Sequence, residues 1–317
     1  MAAGGVEDAP EGEPVPWRST PAMARRRRRR GGGEFYVASV AVIWGLNFPI
    51  AKSVLDQISP LAFSATRYLA GAAILLVLLR LRGVRLSLGR GDVLPLIGLG
   101  LIGITAFQGF WAAGLQRTAA SSAAIMMSAA PIFGALLGQM MGQKAGARGW
   151  AGILIAFAGV GLVVNNSLTG FHIESGSLAG DAMMMAAAAA WALYSALSRG
   201  VLARLGPLAV TAWTMLFGAI GLTVLAAPDL ADQPWQALTV GHWAAFWFSV
   251  VFAAALAFVW WYEGITRLGV ARAMVFTYLT PVVAVAVAVV LLGEDLTLAR
   301  VLGVLVVIAG VRMARRA

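Results

Sequence analysis

Apolar residues run in long blocks along this chain, broken at intervals by short polar or turn-forming stretches. The blocks mostly exceed the 18 residues that let a helix cross a hydrocarbon core. Ser59-Pro60, Gly83, Gly89 to Gly91, Gly146 to Gly149, Gly206-Pro207, Pro228 and Pro234 mark the turns between them. This punctuation predicts helices over about 35–55, 61–81, 93–116, 119–141, 148–166, 178–200, 207–227, 240–266, 269–292 and 298–314.

The blocks also repeat. Adding 147 to a number carries Trp44 onto Trp191, Lys52 onto Arg199, Pro60 onto Pro207 and Gly71 onto Gly218. Further on the offset is 150, and Trp111, Gly114, Arg117 and Pro131 fall on Trp261, Gly264, Arg267 and Pro281. At 151, Gly152 and Gly159 fall on Gly303 and Gly310. The expected domains are therefore a unit over 34–166 and a second over 178–316, behind a basic tail over 1–33. Five spans in each unit is an odd number, so the second copy enters the membrane upside down. The expected fold class is an all-α membrane protein: ten transmembrane helices as two inverted five-helix repeats around a central cavity.

Composition agrees with a membrane protein, since 60% of residues are apolar, 12% are charged and mean hydropathy is +0.82. Charge sets an orientation. With the amino terminus in the cytoplasm, 20 of the 24 basic residues fall in cytoplasmic segments. Only Lys52, Arg67, Arg117 and Arg300 remain, while Asp56, Glu174, Asp229, Asp232, Glu294 and Asp295 lie on the outer side. Both termini are expected in the cytoplasm. The first 33 residues place Glu7, Asp8, Glu11 and Glu13 before Arg25 to Arg30 and read as a disordered tail. The arginine run reads as a topology anchor that also meets anionic lipid, rather than as a nucleic-acid site. No cleavable signal is expected, because the first apolar block is too long.

Candidate chemistry is sparse. There is no cysteine, and the two histidines, His172 and His242, fall in predicted loops. No metal, cofactor or catalytic group is expected. The glycines spaced along the blocks, among them Gly98 and Gly103, Gly134, Gly138 and Gly142, and Gly218 with Gly221, read as packing seams. Pro131 and Pro281 are expected to bend their helices.

Polar and aromatic groups at membrane depth are the candidates for solute binding. Trp44 and Asn47 share a face of the first helix, Gln108 and Trp111 a face of the third, and Trp191 and Tyr194 a face of the sixth. Arg67, Tyr262, Glu263 and Tyr278 complete the set. Aromatic faces suit apolar parts of a solute, and Asn47 and Gln108 suit its polar groups. Buried packing is the competing reading for the tryptophans. Arg67 suits either a solute carboxylate or a reach toward the outer interface or a helix carbonyl. Glu263 is either a proton or cation site or the partner of Arg267 one turn later.

The order Trp44-Gly45, Asn47, Lys52, Ser59-Pro60, Phe63, Arg67 resembles the opening of an EamA repeat. Gly114, Arg117, Ala123, Pro131, Gly152 and Gly159 resemble its continuation, and Leu291-Leu292-Gly293-Glu294 with Gly303 and Gly310 its close in the second copy. The first copy departs from the pattern, reading Gly142-Gln143-Lys144 where such repeats usually carry Gly-Glu. The resemblance covers residues 34 to 316 and implies the drug/metabolite transporter superfamily, with ten spans and a central cavity. The expected function is a solute transporter of the bacterial inner membrane, exporting amino acids or related small metabolites by alternating access. The expected partners are that solute and a bilayer containing anionic lipid. A membrane enzyme or a channel is the alternative. Oligomeric state and energy coupling are left open.

Overall fold

A chain this apolar must satisfy its backbone within each segment, and it does so with helices. The computed structural model describes residues 21–84, 87–115, 117, 126–142, 145–165, 178–292 and 297–315. Among them there are helices and connecting turns and no strand.

In chain order, α1 is Pro21–Leu55 and α2 is Pro60–Leu81. α3 joins Arg90–Gly100, the π-helical Leu101–Ala106 and Phe107–Leu115. α4 is Ala130–Met140, α5 Ala147–Asn165 and α6 Leu178–Leu197. α7 is Arg199–Leu230. α8 joins Val240–Phe248, the π-helical Ser249–Leu256 and Ala257–Leu268. α9 joins Val270–Val275, the 3-10 turn Phe276–Tyr278 and Leu279–Leu292, and α10 is Leu298–Arg315. Six of these stretches are long and apolar enough to cross a membrane: Gly32–Leu55, Pro60–Leu81, Arg90–Gly114, Ala147–Asn165, Arg199–Leu230 and Val240–Leu268. Ala130–Met140 and Val270–Ala284 are shorter apolar helices.

Several boundaries differ from expectation for local reasons. α1 begins at Pro21 instead of near 35, because proline fits a first helical turn and arginines are good helix formers. Its backbone therefore stays helical through Arg25–Arg30, and residues 1–20 lie outside the described range. The chain leaving α6 re-enters a helix at once at Arg199, and the break falls at Gly206, whose φ of 76° suits glycine. Most of the stretch expected to open the fourth helix, 118–125, is outside the described residues. Pro131 sits in the first turn of α4, and Pro281 follows the 3-10 turn of α9. Each expected bend is thus realised as a break just before the proline. At α2, Ser59 caps the helix, accepting a hydrogen bond from the Ala62 N–H at 3.2 Å, with Pro60 next.

Two ends of the bundle can be told apart. Arg315 pairs with Glu34 at 3.1 Å, so the start of the apolar part of α1 and the end of α10 meet at one end, called here the terminal face. Arg204 pairs with Asp92 at 2.6 Å, joining the segment before Gly206 to the start of α3. At the distal face, Ser59 donates to Asp229 at 3.1 Å and its backbone N–H donates to Gln233 at 2.6 Å.

Glycines set the closest approaches. α5 and α10 pack along a shared seam. A Cβ on Gly152 would lie 2.7 Å from the Gly310 carbonyl, and one on Gly310 would lie 2.7 Å from the Gly152 carbonyl. Gly159 and Gly303 show the same reciprocity at 3.0 Å. Gly218 of α7 sits on Gly100 and Ile104 of α3, while Gly71 of α2 sits on Met215 of α7 with Val250 and Ala254 of α8 farther off. Gly103 abuts the Tyr194 ring, but Gly98 faces open space and is not part of a seam.

Candidate functional site

Three of the buried polar side chains meet between α2 and α3, toward the distal face. Ser64, Arg67 and Gln108 are buried, with Tyr68 beside them. Ser64 and Tyr68 are four apart and share one face of α2. Gln108 reaches that face from α3: its Nε2 donates to the Tyr68 hydroxyl at 3.0 Å, and its Oε1 accepts from the Ser64 hydroxyl at 3.4 Å. The Arg67 guanidinium lies 4.9 Å from the Phe63 ring centroid and 4.7 Å from that of Tyr68. Those aromatic faces stabilise the cation. Its Nε–H, however, is buried and has no acceptor among the described residues. A buried donor on a cation left unpaired is costly, and a ligand carboxylate would satisfy it.

A second group of side chains, all of them aromatic, lies toward the terminal face. Trp44 and Trp191, which the repeat pairs with each other, touch edge to face with ring centroids 5.3 Å apart. Trp261 packs on both, at 5.8 and 5.3 Å, and Phe258 on both, at 5.9 and 5.5 Å. Tyr194 continues the block from Trp191 to Tyr262. Two polar edges inside the block are tied down, while the buried Tyr262 hydroxyl has no hydrogen-bond partner among the described residues. Trp261 Nε1 donates to the Ser195 hydroxyl at 3.0 Å, and the Tyr194 hydroxyl lies 3.3 Å from that of Thr214. Phe258 also meets the Tyr68 ring at 5.7 Å, so the aromatic block forms the wall of the polar group on its terminal side.

The π-helical stretch of α8 connects the two groups to α1. Trp44 Nε1 donates to the Ala253 carbonyl at 3.0 Å, and the Ser249 hydroxyl donates to Asn47 Oδ1 at 2.6 Å. The other π-helical stretch, in α3, places the Thr105 hydroxyl 2.8 Å from the Gly218 carbonyl. Such segments rotate side chains out of α-helical register and commonly mark functional places.

The expected site residues therefore divide. Arg67 and Gln108 belong to the polar group. Trp44, Trp191, Tyr194 and Tyr262 belong to the aromatic block, and Asn47 is tied to Ser249 beside it. Trp111 is half-buried on α3. Glu263 lies on the terminal side of the block, where Arg267 pairs with it at 3.0 Å and stacks over Tyr36 at 4.6 Å. Tyr278 is buried elsewhere, among Ala135, Ile153 and Val307 between α4, α5 and α10. Tyr68, Ser249 and Phe258 were not singled out by their sequence positions. For Tyr68 the available signal is its four-residue spacing from Ser64. Ser249 stands out as the lone hydroxyl in an apolar run. Nothing local distinguishes Phe258. Among the described residues, no group of three His, Cys, Asp or Glu side chains is arranged to hold a metal.

The chain matches the model of the EamA-like transporter family over residues 31–165 and again over 178–316. It is 29% identical over 276 residues to the uncharacterized transporter YyaM of Bacillus subtilis (strain 168), covering 86% of this chain and 90% of that one. It is 28% identical over 278 residues to an uncharacterized transporter of Archaeoglobus fulgidus, covering 87% and 94%. A solved crystal structure superposes with a TM-score of 0.78 at 21% identity, covering 90% of this chain and 96% of that one, a likeness of fold.

Proposed function

Since the chain belongs to the EamA-like transporter family, we propose that it exports a small carboxylate-bearing solute, an amino acid or a related metabolite, across the bacterial inner membrane by alternating access. The observation that carries this reading is buried Arg67, whose Nε–H has no acceptor among the described residues, beside the amide and hydroxyls of Gln108, Ser64 and Tyr68. A cation among side-chain donors and acceptors selects a solute with one carboxylate and further polar atoms.

The mechanism follows from two inverted five-helix units that rock about a shared site. Three features support that architecture. The π-helical stretches fall at corresponding places, Leu101–Ala106 in one unit and Ser249–Leu256 in the other. The contact of Gly152 with Gly310 maps onto that of Gly303 with Gly159 when the units are exchanged. Trp44 touches its own counterpart Trp191, as residues on a two-fold axis must. In this arrangement the aromatic block closes the terminal, cytoplasmic side of the solute site. Trp261 is part of the closure, and Trp111, its counterpart, is not. Rocking exchanges their environments: Trp261 leaves the Trp44–Trp191 pair, Trp111 approaches it from the other side, and the site opens to the cytoplasm.

Purified protein in liposomes tests the reading. Labelled amino acids are expected to cross faster than through empty liposomes, with the flux lost on Arg67→Gln. Absence of flux across a broad panel of amino acids and related acids contradicts it.

A further inference from the structure

The terminal face holds a cavity of about 630 Å³ remote from Arg67. α5, α7, α8, α9 and α10 contribute to it. Among the described residues its charged lining is Arg199, Arg267 and Arg272, with no carboxylate in the wall, and its apolar lining includes Ile153, Leu202, Leu268 and Val275. Arg267 is partly neutralised by Glu263. Arg199 is exposed and has no carboxylate within ion-pair distance among the described residues. Gly32 and Gly33 of α1 pack on Arg267 and Leu268, so the helical backbone carrying Arg25–Arg30 departs from the edge of this cavity.

We propose that the cavity binds the headgroup and first acyl carbons of an anionic phospholipid. Exposed Arg199, with Arg267 and Arg272 beside it, suits a phosphodiester, because a guanidinium presents planar forked donors to phosphate oxygens. The apolar lining distinguishes the occupant from a free anion, since only an amphiphile covers both surfaces. The location agrees with both requirements: the arginines lie at helix ends, where basic side chains meet the headgroup layer of an apolar bundle. This site does not depend on what is transported. It accounts for a cavity and a cluster of cations that the solute site does not use.

The full chain, purified in neutral detergent, tests the proposal by native mass spectrometry and by thermal midpoint. The probes are micelles doped with phosphatidylglycerol, micelles doped with phosphatidylcholine, and soluble glycerol phosphate. Phosphatidylglycerol is expected to be retained and to raise the midpoint, and phosphatidylcholine is not. Arg199→Gln and Arg272→Gln should each weaken phosphatidylglycerol retention about fivefold, the effect of one cation near an anionic surface. Arg80→Gln, on exposed surface outside the cavity, should leave it unchanged. If Arg272→Gln does not fold, exposed Arg199 decides alone. Equal retention of the two lipids, unaltered retention in Arg199→Gln, or an equal loss in Arg80→Gln overturns the proposal. Stabilisation by glycerol phosphate at the concentration effective for the lipid also overturns it, assigning the cavity to a free anion.

Discussion

Ser64, Arg67, Tyr68 and Gln108 have counterparts in the second unit at Thr211, Thr214, Met215 and Phe258. The first four form a hydrogen-bonded group around a buried cation. The second four carry no charge. Thr211 and Thr214 turn their hydroxyls back to the carbonyls of Pro207 and Val210, each at 2.8 Å, while Met215 and Phe258 fill the core. The glycines on the same helices behave otherwise, with Gly71 and Gly218 each packed against the other unit, Gly71 on Met215 and Ala254 and Gly218 on Gly100 and Ile104. Packing is repeated and chemistry is not. Close helix approach in lipid demands a small residue in both copies. A solute with one carboxylate needs its cation in only one.

The largest expected effect lies on the shared side of this contrast. Gly152→Val and Gly310→Val each drive a side chain into the partner backbone and should destabilise the fold by on the order of 3 kcal/mol. Thermal midpoints should fall by similar amounts in the two variants; a loss confined to one breaks the reciprocity. Next comes the unshared side. Arg67→Gln removes a charge-assisted contact worth about 1.5–3 kcal/mol, so solute affinity should drop roughly 10- to 150-fold in a flux or binding assay. Thr214→Val at the counterpart should change it less than about threefold, given that this hydroxyl donates within its own helix and otherwise meets Tyr194, outside the polar group. Gln108→Ala leaves the Ser64 and Tyr68 hydroxyls without their partner and should lower stability by about 1–2 kcal/mol, read from the thermal midpoint. The smallest effect belongs to Glu263→Gln. Its partner Arg267 is partly solvated, and such pairs contribute about 0.2–1 kcal/mol. The pH profile of flux should stay in place, and a flattened profile would instead assign Glu263 to proton coupling.

Much of the fold is legible in the sequence because its causes are local. Ser59-Pro60 marks the start of α2 as written, and Gly152, Gly159, Gly303 and Gly310, legible as repeat landmarks, meet along one seam. Gly98 shows the limit: the same residue type faces open space, for want of a partner helix that no spacing reveals. The first residues of α1 misled for a different reason, since arginines are both disorder-prone in composition and good helix formers. Arg67 and Gln108 were legible as buried polar groups. Tyr68, Ser249 and Phe258 were not, because each acquires its role from a side chain on another helix. Glu263 and Tyr278 looked like Arg67 by depth alone. An ion pair with Arg267 in one case and enclosure by α4, α5 and α10 in the other set them apart.

Arg67 carries the central claim, and ligand stabilisation reads it most directly. Purified protein is heated with a panel of amino acids, each beside its matching amide and decarboxylated amine. The account predicts that some acids raise the thermal midpoint in proportion to binding, that their amides and amines do not, and that Arg67→Gln abolishes the rise while keeping the unliganded midpoint. Equal stabilisation by an acid and its amine, or an undiminished rise in Arg67→Gln, would contradict it.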